Sequence, residues 1–158
     1  MDPGYNGDVF RRLLAASVAL CALTLAATHG GAAAAASVNN GKVTCTVTAL
    51  AATLSKTSLT AKASIVCTGA TTATVSIAVA EMDGTVEQTI QTPRLLSVAV
   101  TKANTAVAIS GATITCPNTE STKEEYASKV QAVLTTSTGT KVTSAWDYKI
   151  PANDAYAC

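Results

Sequence analysis

The residues of this chain whose types invite chemistry are few: a set of cysteines, a handful of carboxylates and one tryptophan–tyrosine pair. There are five cysteines and a single histidine. Cys21 and His29 fall in an apolar, alanine-rich leader, so the rest of the chain carries Cys45, Cys67, Cys116 and Cys158. These lie tens of residues apart with no C-x-x-C, which is the wrong spacing for zinc. An even set in an exported chain points instead to two disulfides. Without an imidazole beyond the leader, histidine-based nucleophilic or general-base catalysis has no base. Glycoside hydrolysis needs two carboxylates facing one cleft. Glu124 and Glu125 are adjacent and would point to opposite faces of a strand. Glu81, Asp83 and Glu87 gather acidic oxygens around one turn, the donors calcium takes, but the plainer reading is a soluble turn. No enzyme activity, metal or cofactor is expected.

Two further sites have both a bland and a sharp reading. Arg94, after Pro93, could enter a trypsin-like protease, although a turn arginine is the plainer reading. Trp146 and Tyr148 are two residues apart and so share one face of a strand. Facing inward they are core, which is the expectation here. A slip of one residue would put both outside, where such side chains anchor a protein or a sugar ring.

The leader decides the compartment. Arg11 and Arg12 precede the apolar run Leu13 to Ala27, and Ala32 to Ala36 offers overlapping A-x-A cleavage sites. That order is a signal peptide, and the run is shorter than the roughly 20 apolar residues of a membrane span. The expected organisation is a signal peptide over residues 1–36 and one domain over 37–158, secreted or extracellular. Lys and Arg total 11 against 10 Asp and Glu, and charged residues are 13%. There is no basic stripe to suggest nucleic acid or an anionic membrane as partner.

Beyond the leader the chain alternates with period two, the pattern of half-buried strands. Val43, Cys45, Val47 and Ala49 alternate with threonines; Leu59, Ala61, Ala63, Ile65 and Cys67 alternate with Thr60, Lys62 and Ser64. Folding these strands back about Lys56 sets Val47 against Ile65 and Cys45 against Cys67. Opposed Cβ atoms there sit about 4.5–5.5 Å apart, close to disulfide reach. Four cysteines allow three connectivities; this register favours Cys45–Cys67, leaving Cys116–Cys158. Three more hairpins are expected. One turns at Asp83-Gly84 with Ile77 against Ile90. Another turns at Ala103-Asn104 with Val100 against Val107 and Val98 against Ile109. The last turns near Gly139 with Leu134 against Val142 and Val130 against Trp146. Gly111 marks a bulge or bend, and Pro117 to Glu124 is a polar loop.

The segment Glu125-Tyr126-Ala127-Ser128, entering a hairpin, resembles the F–G region of immunoglobulin-like domains, where a tyrosine precedes the second core cysteine by two residues. Ser128 stands at the cysteine position, and Trp146 lies on the last strand. The resemblance implies shape alone: an all-β, immunoglobulin-like antiparallel sandwich of about 7–8 strands, disulfide-stapled. The function expected is a non-catalytic module that binds an extracellular protein, matrix or polysaccharide, or plays a structural role. The alternative is an inhibitor of an extracellular hydrolase acting through an exposed loop.

Overall fold

The structure, a computed structural model, describes residues 35–83, 86–88, 90–116 and 125–150. They form two antiparallel sheets, with no helix among the described residues. The first sheet has the order β1 (Ala36–Asn39), β2 (Thr44–Ser55), β3 (Ser58–Cys67), β7 (Val107–Thr115). In the second, β8 (Tyr126–Thr135) pairs with β4 (Thr71–Asp83). Along the other side of β4 run β5 (Val86–Gln88) and then β6 (Arg94–Val100). The far side of β8 carries β9 (Lys141–Thr143) and β10 (Asp147–Lys149). Each sheet therefore has four lanes, and the two outer lanes of the second are broken.

Alternation made the β2–β3 hairpin legible. Lys56 takes a positive φ of 56° at its turn, and Cys45 meets Cys67 while Val47 meets Ile65. Two expected pairings differ. Ile77 opposes Arg94, not Ile90: Asp83 belongs to β4 and pairs with Val86, which moves the hairpin out of the expected register. β5 then stops after three residues, before the lane resumes past Pro93, which has no N–H to donate. Val98 and Val100 do not face Ile109 and Val107. Instead β6 stays beside β4 while β7 crosses to pair with β3. Both pairings satisfy the alternation equally, and only the crossover lets the apolar faces of two sheets meet. Ala36, the expected cleavage point, begins β1 and is buried.

The core lies between the sheets and is made of small and branched residues. Val47, Leu59, Ile65, Val75, Ile77, Val79, Val130 and Leu134 are all at or below 1% exposed. Tyr126, the first residue of β8, is fully buried among them. Both neighbours of Ala61 bulge: Ala51 and Ala52 face it from β2, Gly111 and Ala112 from β7. The bulge at Gly111 also admits the opposite sheet, since a Cβ there would meet Ile77 Cγ2 at 2.7 Å. Among the described residues no helix is long and apolar enough to cross a membrane.

Candidate functional site

Cys45 and Cys67 are joined, with an S–S distance of 2.05 Å, and both are fully buried. Cys116 is also disulfide-bonded; Cys158, its expected partner, lies outside the described residues.

The aromatic pair is decided by one serine. Ser144 N donates to Ala132 O at 2.9 Å, but Ala132 N donates to Ser144 Oγ at 3.0 Å, where a regular ladder would use the carbonyl. The displaced carbonyl accepts from Gln131 Nε2 at 2.9 Å. Upstream, Leu134 faces Val142 as expected; downstream, Val130 faces Asp147 and not Trp146. The register has slipped by one residue, which exchanges the faces. Trp146 and Tyr148 turn to the outer face and are half-buried, correcting their assignment to the core.

On that outer face they meet a lysine. Lys129 Nζ stands 4.7 Å from the centroid of the Trp146 ring and forms a salt bridge with Glu87. Tyr148 donates its hydroxyl to the other carboxylate oxygen of Glu87 at 2.8 Å. The floor beneath consists of Ala80, Met82 and Ala127, all buried although they face away from the core. The short Ala80 and Ala127 side chains beside Met82 leave room for the Lys129 stem of β8 to lie along the sheet and reach Glu87 of β5. The Tyr148 phenol is pushed up to about 12, first because burial disfavours the phenolate and then because Glu87 accepts its proton and is negative. The cluster holds a neutral phenol and a paired ammonium, with no nucleophile presented for reaction.

The same slip drives Asp147 inward, where it is 3% exposed and accepts from Ala49 N of β2 at 2.6 Å. β1 pairs with β2 only as far as Val47, so the carboxylate takes over the next open edge N–H. Ser128 does the matching task across the sandwich. Its Oγ accepts from Lys62 N at 2.9 Å, beside the double bulge around Ala61. Both bonds join one sheet to the other.

At one end of the sandwich the turns 40–43, 68–70, 101–106 and 136–140 come together above the Cys45–Cys67 bridge. They are laced to one another and to the strand ends. Asn40 Nδ2 donates to Thr135 O at 2.9 Å, Thr68 N donates to Thr44 O at 2.9 Å, and Asn104 N to Cys67 O at 2.8 Å. Within the turns, Asn40 Oδ1 accepts from Val43 N at 2.9 Å and Thr136 Oγ1 from Thr140 N at 3.0 Å. Gly41, Asn104 and Gly139 take positive φ, each fixing the direction of its turn.

The remaining expected residues separate. Glu81 is buried on the core side of β4, while Glu87 lies on the outer side. Glu81 and Glu87 therefore point to opposite faces, the Asp83 side chain lies outside what is described, and no group of three metal-ligating side chains occurs among the described residues. Arg94 is exposed but sits within β6, paired with Ile77, not on a projecting loop. Glu125 is half-buried, and its carbonyl accepts from Met82 N at 2.8 Å. Glu124 and the loop Pro117 to Glu124 lie outside the described residues. Sequence reasoning missed Lys129, Asp147 and Ser128 as structural polar groups. The signal for Lys129 was its flanking Ala127; Asp147 had none, because its inward turn depends on the slip.

Comparison of the chain with protein-family models, with curated proteins and with solved structures finds no match.

Proposed function

We propose that this chain is a secreted, non-catalytic, immunoglobulin-like β-sandwich module that binds an extracellular partner through the turns at one end. The observation that carries this reading is the laced set of turns 40–43, 68–70, 101–106 and 136–140 above the Cys45–Cys67 bridge. Preformed loops on a rigid scaffold lose little conformational entropy on binding, which favours recognition. The immunoglobulin-like assignment is supported by topology. β3 pairs with β7 in one sheet and β4 with β8 in the other, as B pairs with E and C with F in those domains. Tyr126 opens β8 where a tyrosine corner belongs, and Ser128 replaces the core cysteine with a hydrogen bond to the opposite sheet. Export is supported by the leader and by a disulfide buried in the core.

The absence of catalysis is a reading of how the polar side chains are used. Lys129, Glu87, Tyr148, Asp147 and Ser128 are bonded to one another or to backbone. The test is retention of a partner by the immobilised protein from extracellular material of its own source. A protein or glycan is expected to be retained and to be released by free domain. Nothing retained at micromolar protein would overturn the reading.

A further inference from the structure

The end that carries the laced turns is also electrically one-sided. Lys42, Lys102 and Lys141 stand on or beside three different turns there, all exposed and none paired among the described residues. No Asp or Glu occurs in residues 37–80, 88–119 or 126–146, so no acidic residue lies in any of the four turns. Among the described side chains, the carboxylates Glu81, Glu87, Glu125 and Asp147 lie toward the other end and the core. A near-neutral chain thus presents an uncompensated cationic end, where the potential of each lysine adds to the others.

The topology spreads these charges. Lys42 follows β1 at an edge of the first sheet and Lys141 begins β9 at an edge of the second; the Asn40 to Thr135 bond ties the turn after β1 to the end of β8, beside β9. Lys102 lies in the β6–β7 crossover at the opposite side of the same end. From the β9 lane to the β6 lane is three inter-strand spacings, roughly 14 Å. Between them the turns offer hydroxyls and amides, including Thr68, Thr71, Asn104 and Thr136, and no aromatic residue.

We infer that this end is a docking surface for an acidic polysaccharide lying across it. This rests on the binding-module reading above and names its ligand class. Lysines placed singly on separate turns suit a charge repeated along a chain; a bidentate phosphate or carboxylate clamp calls for arginine, and the turns contain none. Hydroxyls and amides complement sugar hydroxyls. Nucleic acid would find no aromatic platform for its bases, and a membrane would find no large apolar side chain to insert.

The experiment measures binding of the full chain, disulfides intact, to polygalacturonate, with neutral dextran, single-stranded DNA and phosphatidylserine vesicles as the other arms. Binding to polygalacturonate is expected, with log affinity falling against log salt at a slope of about −2, as counterions are released. The K42S/K102S/K141S variant is expected to lose about tenfold or more. Lys56→Asn, at the far end of the β2–β3 hairpin, is expected to bind as the parent does. Salt-independent binding, an unaffected triple variant with an unchanged circular dichroism spectrum, or no binding to polygalacturonate would overturn the inference. Preference for DNA or vesicles would overturn the ligand class. Binding to dextran alone, or to a retained protein partner alone, would sink this inference and leave the module reading standing.

Discussion

Lys129 and Lys102 are the same residue type in one small domain, and the structure uses them in opposite ways. Lys129 is 7% exposed, spans a floor of Ala80, Met82 and Ala127, and is held by Glu87 and the face of Trp146. Lys102 stands in an exposed turn with no partner among the described residues. Burying an ammonium is costly unless partners compensate it, so the first lysine is held by two neighbours, Glu87 of β5 and Trp146 of the segment between β9 and β10. The second needed only that no acid be near. The difference teaches that a charge becomes architectural when separate strands converge on it, and available when they leave it alone.

The largest expected effect breaks the comparison directly. Lys129→Ala would take from Glu87 the cation that faces it over a largely apolar floor, and should cost about 3 kcal/mol in urea unfolding. Lys102→Ala should stay within about 0.5 kcal/mol. Equal, small losses from both would mean that the cluster holds nothing together.

The disulfide sharpens the contrast between the two regions. Cys45 and Cys67 close a 22-residue separation beneath the laced turns, so replacing both with Ala should cost about 3 kcal/mol. Amide hydrogen exchange should then accelerate first at turns 40–43 and 68–70, ahead of β8 under the Lys129 cluster. Reduction of the intact protein should lower the melting temperature sharply; an unchanged curve in reductant would refute the clamp.

The smallest effect is alkaline and belongs to the cluster alone. Tyr148 is pushed up to about 12 from 10.0, so the folded state holds this proton more tightly than the unfolded chain. Its stabilising contribution is complete below pH 10 and is lost as pH rises toward 12. Tyr148→Phe should flatten that part of the stability–pH curve. An ultraviolet titration in which Tyr148 ionises at the ordinary tyrosine pH would contradict its burial and its hydrogen bond to Glu87.

How far the sequence could be read follows from the range of each signal. The β2–β3 pairing and the Cys45–Cys67 bridge were legible because alternation over Val43 to Ala49 and over Leu59 to Cys67 turns both cysteines inward. The bulge of Ala51 and Ala52 against Ala61, which brings that register into line with the Lys56 turn, was not legible. The Gly111 bulge was legible because glycine interrupts the pattern where a backbone must yield. The β6–β7 crossover was hidden, since a hairpin and a crossover bury the same valines. Trp146 and Tyr148 were misplaced because a single hydroxyl, on Ser144, took a ladder bond and slipped the lane by one residue. Nothing in the local pattern distinguishes that serine from an outward one.

Taken alone, the amino-acid order determined strand content, turn positions and one disulfide, all set by side-chain alternation and by residues that tolerate few backbone shapes. Which lane each strand joined, which face the aromatics took, and which lysines gather at an acid-free end were settled only when distant strands came together. Alternation states that a residue has an inside and an outside; the packing of the second sheet against the first states which is which.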